Sequence, residues 1–87
     1  MNEYSLDFTN DYLSDLKKLK NHHQLLDRLE AKVKEIRGDP HHYKTLRNVM
    51  KGKCRVQIDS FVLVFEIVES EKTVVLHRFR YHDEAYE

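Results

Sequence analysis

The chain has 87 residues, 40% of them hydrophobic and 34% charged, a composition that supports one hydrophobic core and is too apolar for a disordered polyelectrolyte. Fifteen basic and fifteen acidic residues give a net charge of zero, so no whole-molecule field attracts nucleic acid or a membrane surface. These numbers predict a single domain over 1–87, exclude a multidomain protein, and leave any electrostatic function to a local patch.

The first part of the chain predicts a strand and then a helix. From Tyr4 to Phe8, apolar and polar residues alternate with the period of a half-buried strand. Thr9 or Asn10 is a suitable cap for the following helix, because a side-chain oxygen there accepts from a free backbone N–H group. The apolar residues of this helix recur at steps of three and four: Tyr12, Leu16 and Leu19.

A second helix is predicted after the polar break at 20–23. Its apolar residues lie on one stripe: Leu25, Leu29, Val33 and Ile36. Gly38, Asp39 and Pro40 end this helix. Because the connection between the helices is short and polar, we expect them to form a helical hairpin.

Beyond residue 40 the hydrophobic period changes from about 3.6 to two, which predicts strands. In the segment 54–58, apolar residues alternate with Arg55 and Gln57, so these two polar side chains point away from the helices. Asp59-Ser60 is the expected hairpin turn, although serine suits a positive φ less well than glycine does.

The run 61–68 is apolar on both faces, which is typical of a central strand. After a turn at 69–72 we expect a last strand over 73–79 and a polar tail, 82–87, in one helical turn. The sequence thus predicts an α+β fold. An N-terminal strand, an α-helical hairpin and a three-stranded antiparallel meander form a four-stranded sheet with the helices on one face.

Further features argue against a membrane, secretion or a metal site. The longest apolar run, 61–65, is far shorter than the ~20 residues that cross a bilayer, and the first residues lack the pattern of a signal peptide. Cys54 is the one cysteine, which suits a reducing cytosol. The histidine pairs at 22–23 and 41–42 lack a third spaced ligand. We expect a cytoplasmic protein without a metal, a cofactor or a membrane partner.

The charge is unevenly distributed along the chain. Between Asp39 and Asp59, nineteen residues include no acid and five bases: Lys44, Arg47, Lys51, Lys53 and Arg55. Arg55 extends this basic patch onto the exposed sheet face, where Arg78 and Arg80 are also expected because they are two residues apart on one strand. Such a face suits phosphate and an unstacked base, whereas a solvated lysine-rich loop is the plain alternative.

The order and spacing of several segments carry a resemblance to a known family. The segments are the opening strand with Phe8, the leucine-rich hairpin, Asp39-Pro40, Leu46-Arg47, Arg55 to Ile58, Phe61 to Ile67, and Arg80 to Tyr86. This succession resembles the RelE/ParE superfamily of toxins from bacterial and archaeal toxin–antitoxin systems, and most of all a RelE-type mRNA interferase toxin. The resemblance covers nearly the whole chain.

The resemblance implies the toxin of a type II system, a ribosome-dependent endoribonuclease that cuts mRNA in the A site and so inhibits translation. In this chemistry the ribose 2′-hydroxyl attacks the adjacent phosphorus and leaves a 2′,3′-cyclic phosphate. By resemblance, Arg55 neutralises the developing charge, Arg80 binds the phosphate and protonates the leaving oxygen, and Tyr86 stacks on or orients the substrate. The other bases are expected to bind RNA or the ribosome: Lys44, Arg47, Lys51, Lys53 and Arg78.

Arginine is a poor proton shuttle because its pKa stays above ~12, so a histidine is considered for proton transfer. His82 is the better candidate, since it lies between Arg80 and Tyr86. His77 alternates away from Arg78 and is expected to pack or cap on the opposite sheet face.

Gln57 and Val62 depart from the family, which usually carries basic residues at both positions, so cleavage is expected to be attenuated. The alternative function is therefore a non-catalytic or attenuated binding module of the same fold, either a ParE-like gyrase inhibitor or a degenerate toxin. The implied partners are a cognate RelB-like antitoxin, the ribosome and mRNA. Operator DNA is reached only through the antitoxin.

Overall fold

The computed structural model describes residues 3–42 and 53–82. A strand is followed by two helices and three more strands: β1 (Ser5–Phe8), α1 (Asn10–Lys18), α2 (His23–Gly38), β2 (Lys53–Ile58), β3 (Phe61–Val68) and β4 (Thr73–Tyr81). Short 3₁₀ turns cover Pro40–His42 and Glu69–Glu71. Neither α1 nor α2 combines the length and hydropathy needed to span a membrane. The element order is the one predicted from the sequence.

The four strands form one mixed sheet in the order β1-β4-β3-β2. The meander β2, β3 and β4 is antiparallel, and β1 adds to its β4 side in parallel. A parallel neighbour cannot be reached by a tight turn, and the two helices occupy the long connection between β1 and the meander. This confirms the predicted α+β fold with a four-stranded sheet.

Local features define the start of α1 and the turn between β2 and β3. The Thr9 hydroxyl accepts a hydrogen bond from the Tyr12 backbone N–H at 3.0 Å, so of the two predicted candidates Thr9 is the N-cap of α1. In the hairpin turn between β2 and β3, Asp59 has a φ of 57°. Ser60 is not among the described residues with positive φ, so serine is compatible with its position in the turn.

The hydrophobic core lies between one face of the sheet and the two helices. The helices contribute Tyr12, Leu19, Leu29, Val33 and Ile36, and the meander contributes Cys54, Ile58, Leu63, Phe65, Val74, Leu76 and Phe79. Burial of one such side chain is worth ~1.5–3 kcal/mol, so this layer is the main source of stability. The predicted stripe of α2 faces the core as expected, with Leu25 only partly buried at its start.

The other face of β3 is also buried. Val62 and Val64 form a separate apolar pair there, and their exposed fractions are 1% and 0%. The prediction that β3 is a central strand with two apolar faces is therefore confirmed, and the two valines form the floor of the surface described next.

Candidate functional site

The sheet face turned away from the helices carries the arginines singled out from the sequence, and we call it the arginine face. Residues directly opposite one another on neighbouring strands place their side chains on the same face. Across β2, β3 and β4 the rows of this face are Lys53–Glu66–Val75, Arg55–Val64–Arg78 and Gln57–Val62–Arg80. The predicted placement of Arg55 and Gln57 away from the helices is correct.

Arg55 and Arg80 stand diagonally across the valine pair. Arg55 is exposed on β2, and Arg80 is half-buried on β4. Two strand spacings and a two-residue offset separate their Cα atoms by about 12 Å. Since both side chains leave the same surface, a phosphodiester lying across β3 can meet a guanidinium group from each side.

The two positions that depart from the family lie side by side in one row with Arg80. Val62, opposite both Gln57 and Arg80, is buried rather than presented at the surface. The Gln57 side-chain amide donates to the Asp59 backbone carbonyl at 3.0 Å, so this side chain supports the hairpin turn. Arg80 is thus the one cation of its row, in which all three residues are described.

Arg78 shares the arginine face with Arg80, as strand alternation predicts, but its guanidinium is bound by α1. It donates to both carboxylate oxygens of Asp15, from Nε at 3.0 Å and from Nη2 at 3.1 Å. Its Nη1 lies 3.4 Å from the Asp11 carboxylate. The hydrogen bonds to Asp15 are the first cause that raises the pKa of Arg78. We call Asp11, Asp15, Arg78 and the Phe79 backbone N–H the Asp15 cluster.

His77 corrects an expectation drawn from alternation. A β-bulge opposite Val64 and Phe65 leaves His77 outside the paired register. Its Nε2 lies 2.9 Å from Glu66 Oε1, and the Lys53 ammonium lies 3.8 Å from the same oxygen. Glu66 belongs to the arginine face, so His77 does not pack on the opposite face as expected. The extra residue of the bulge is the reason.

Other predicted site residues are placed only in part. His82 is exposed, and its backbone N–H donates to the Ser60 carbonyl at 2.9 Å, which holds the end of β4 against the hairpin turn. The other predicted catalytic and RNA-binding residues lie outside the described residues: Lys44, Arg47, Lys51 and Tyr86. The predicted helical turn of the tail lies outside them after His82.

A small cleft beside Arg80 was not predicted. It has a volume of about 240 Å³ and is lined by Asp15, Lys18, Leu19, Phe61, Phe79, Arg80 and Tyr81. Phe61 stacks on Phe79 with 5.2 Å between ring centroids and meets Tyr81 edge-on at 5.3 Å. Tyr81 is 49% exposed. The sequence signal for this cleft was the two-residue period of β4, which continues past Phe79 and places Tyr81 on the same side of the sheet.

A second cluster of charged side chains lies at the other end of β4. The Glu69 carboxylate accepts from the Tyr4 hydroxyl at 2.8 Å, contacts the Lys72 ammonium at 3.4 Å and is paired with His41. The hydrogen bond from Tyr4 is the first cause that lowers the pKa of Glu69, and the same bond raises the pKa of Tyr4. We call these four residues the Glu69 cluster.

Cys54 has the structural role expected from its alternation. The thiol is buried in the core layer, and burial raises its pKa. A raised pKa disfavours the thiolate, so the side chain is not an activated nucleophile. In the ranges 3–42 and 53–82, no three His, Cys, Asp or Glu residues are grouped so that they could hold a metal ion.

Comparisons with known proteins agree on the type of protein. A model of the family described as the ParE toxin of type II toxin–antitoxin system, parDE, matches residues 6–86. A protein of Methanocaldococcus jannaschii named as toxin RelE4 is 50% identical over 56 residues, which cover 63% of this chain and 60% of that relative. An uncharacterized protein of Methanosarcina mazei is 39% identical over 85 residues, 95% of this chain and 99% of that protein.

The fold is similar to that of a solved structure of the same type. A chain of the toxin–antitoxin complex RelBE2 from Mycobacterium tuberculosis superposes with a TM-score of 0.78 at 25% identity, over 91% of this chain and 98% of that chain. The sheet order and the two helices described above are therefore shared with a protein solved in a toxin–antitoxin complex.

Proposed function

The chain belongs to the RelE/ParE superfamily of type II toxin–antitoxin toxins and is of the RelE type, and on that premise we propose that it is a ribosome-dependent endoribonuclease. Its substrate is mRNA in the ribosomal A site, and cleavage stops translation. One domain over 1–87 carries the activity. The observation that carries this proposal is the register that sets Arg55 and Arg80 on one sheet face, on either side of the buried Val62 and Val64.

The proposed reaction needs cations more than it needs a metal. The ribose 2′-hydroxyl gives its proton to a base, for which His82 is proposed, and its oxygen bonds to the adjacent phosphorus; the bond from phosphorus to the 5′-oxygen breaks, and the departing oxygen takes up a proton. Arg55 neutralises the charge that builds on the phosphoryl oxygens. Arg80 binds the phosphate and protonates the departing 5′-oxygen. Each such charge-assisted hydrogen bond is worth ~1.5–3 kcal/mol. Tyr86 and His82 remain the proposed stacking and proton-transfer residues.

The surroundings of Arg80 favour a nucleotide. The cleft lined by Lys18, Arg80 and the exposed Tyr81 lies on the helix side of β4, so Arg80 stands between this cleft and the arginine face. Unpaired RNA bases are commonly bound by aromatic stacking beside cationic side chains. Lys53 and the basic residues at 44–51 are proposed to hold ribosomal RNA by its phosphates, which positions the protein without reading sequence.

The proposed partner in the inactive state is a RelB-like antitoxin. The two helices and the turn between them carry many basic residues: Lys17, Lys18, Lys20, Lys32, Lys34 and Arg37. These match an acidic antitoxin segment with apolar anchors. The complex is proposed to form in the cytoplasm, and operator DNA is bound through the antitoxin.

The direct test is a cell-free translation reaction supplied with the purified protein, in which mRNA ends are mapped by primer extension. We expect cuts in codon phase that require ribosomes. Arg80→Ala should lower the cleavage rate by about 10²-fold or more while the protein stays folded, since the residue buries little apolar area. Arg28→Ala is the matched control, because this exposed arginine on α2 pairs with Asp59 and lies outside the arginine face. Equal cleavage by the parent and Arg80→Ala would remove the assignment of this site.

A second function is favoured by one specific observation. The row Gln57–Val62–Arg80 has a single cation, and the family whose model matches is the ParE toxin family. A ParE-like toxin would leave mRNA intact and inhibit DNA supercoiling by gyrase. A supercoiling assay with the same preparation separates this outcome from the nuclease. A protein that neither cleaves mRNA nor inhibits gyrase would be a module that only binds its antitoxin.

A further inference from the structure

Within residues 3–42 and 53–82, the last part of β4 has no strand neighbour on the β1 side, and α1 supplies contacts to this edge. The pairing of β1 with β4 ends where Phe8 lies opposite Leu76, whereas β4 continues to Tyr81. Beyond that point the Thr9 N–H donates to the Leu76 carbonyl at 3.1 Å, and the Thr9 hydroxyl donates to the His77 carbonyl at 2.8 Å. An unpaired strand edge is normally left to solvent or to a partner chain. Here the N-terminal end of α1 lies along this edge of β4.

Asp15 lies nearly two turns further along the chain in α1 and continues these contacts with the edge of β4. Its Oδ2 accepts from the Phe79 backbone N–H at 3.0 Å. The same carboxylate holds the Arg78 guanidinium through two further hydrogen bonds. The Asp15 side chain is 4% exposed, so the ion pair is largely removed from water and the three hydrogen bonds replace its hydration. Phe79 is the residue directly before Arg80.

We propose that Asp15 is a positioning residue for Arg80 and that it also withholds Arg78 from RNA. This inference rests on the proposed nuclease function. By accepting from the Phe79 N–H, Asp15 fixes the backbone from which Arg80 projects. By neutralising Arg78, it keeps this arginine from binding phosphate.

The two effects of Asp15 predict opposite changes when it is altered. Loss of its charge frees the Arg78 guanidinium, which adds a cation to a face that binds a polyanion, so association should strengthen. Loss of its acceptor loosens the backbone before Arg80, so turnover should fall. A carboxylate that only stabilises the fold would lower both quantities together.

Two substitutions separate these effects. Asp15→Asn keeps one carbonyl oxygen for the Phe79 N–H but places an amide donor against the Arg78 donors. We expect tighter ribosome association, a slope of log affinity against log salt that is steeper by about one, and a kcat within about tenfold of the parent. Asp15→Ala removes both functions. We expect a kcat lower by about 10²-fold, with association at least as tight as that of the parent.

The chain offers a control on the same helix. Asp11 also contacts Arg78, but its side chain is 71% exposed and none of its contacts described here is to the backbone of β4. Asp11→Asn should leave association and kcat within about twofold of the parent. Arg78→Met keeps the Asp15 acceptor and should not weaken association, because Arg78 is not a ligand of RNA in this proposal.

Amide hydrogen exchange measures how firmly Asp15 holds the backbone at Phe79 and Arg80, and it needs no nuclease assay. Exchange at Phe79 and Arg80 should accelerate in Asp15→Ala, or in Asp15→Asn if the alanine variant does not fold, while core amides of β3 keep their rates. If the parent cuts no mRNA, the proposed function fails, and the exchange result still decides whether Asp15 fixes this backbone. Weaker ribosome association by folded Asp15→Asn or Arg78→Met would overturn the proposal, as would parental kcat in folded Asp15→Ala.

Discussion

Two carboxylates that each accept several hydrogen bonds lie towards opposite ends of β4, Asp15 against Arg78 and Phe79 and Glu69 just ahead of Thr73, yet the two sites differ in burial. At the Asp15 cluster the carboxylate is 4% exposed, whereas in the Glu69 cluster the side chain is 49% exposed. Both join distant parts of the chain: Asp15 connects α1 to β4, and Glu69 connects the segment before β4 to Tyr4 and His41. The number of hydrogen bonds in a cluster is therefore a poor measure of what it contributes to the free energy of unfolding. Water replaces the partners of Glu69 easily and those of Asp15 poorly.

The largest effect should follow removal of the buried carboxylate. Asp15→Ala leaves Arg78 without its main counter-charge and the Phe79 N–H without an acceptor, so the free energy of unfolding should fall by ~3–5 kcal/mol. Urea denaturation at neutral pH measures this loss. Glu69→Ala should cost clearly less, and an equal loss in the two variants would contradict the comparison.

A second difference between the ends is the cause of tyrosine pKa shifts. Burial raises the pKa of Tyr12 on α1 to about 12, whereas the pKa of Tyr4 is raised first by its hydrogen bond to Glu69. A raised pKa contributes stability below the unfolded value of about 10 that is lost as pH rises towards 12. For Tyr12 this amounts to ~2–3 kcal/mol. Tyr12→Phe should therefore flatten the loss of stability between pH 10 and 12, which thermal denaturation across that range can follow.

The edge contacts of Thr9 should come next in size. Thr9→Ala removes the cap of α1 and the hydrogen bond to the His77 carbonyl, with an expected loss of ~1 kcal/mol. Thr9→Ser keeps the hydroxyl and should retain most of the stability. If the serine variant is as unstable as the alanine variant, the hydroxyl is not what joins α1 to β4.

The smallest effect should be the acid response of the Glu69 cluster. The pKa of Glu69 is lowered, so its contribution is present above the model-peptide value of 4.5 and is lost as pH falls through the folded value. Glu69→Gln should thus reduce stability slightly at neutral pH and remove a small part of the acid slope. The measurement is the unfolding midpoint in urea from pH 3 to pH 7, with the parent measured in parallel. A Gln variant with an unchanged acid slope would show that other carboxylates cause it.

Much of the fold could be predicted because its signals are local. The alternation in β2, the apolar run of β3, the stripe of α2 and the Thr9 cap each arise within a few residues, and all were placed correctly. The contacts of the Asp15 cluster join residues more than sixty positions apart, and strand alternation gave no sign that Arg78 would be bound by α1.

The bulge at His77 is a second feature that local sequence signals could not predict. Its position depends on how β4 fits between β3 and α1, and no glycine or other local signal marks it. For the candidate site, alternation was sufficient to place Arg55 and Arg80 on one face, because both lie in regular pairing. It failed for His77, where the pairing register shifts.

The parallel pairing of β1 with β4 also has a consequence for the order of folding. The meander can form from neighbouring segments, but β1 has no sheet partner until β4 exists, and Thr9 and His77 are 68 positions apart in the chain. Closing so long a loop is entropically costly and slow compared with hairpin formation. We therefore expect docking of β1 and α1 onto β4 to be the late step. During synthesis, the backbone that carries Arg80 gains its edge contacts only after every other described element has been made.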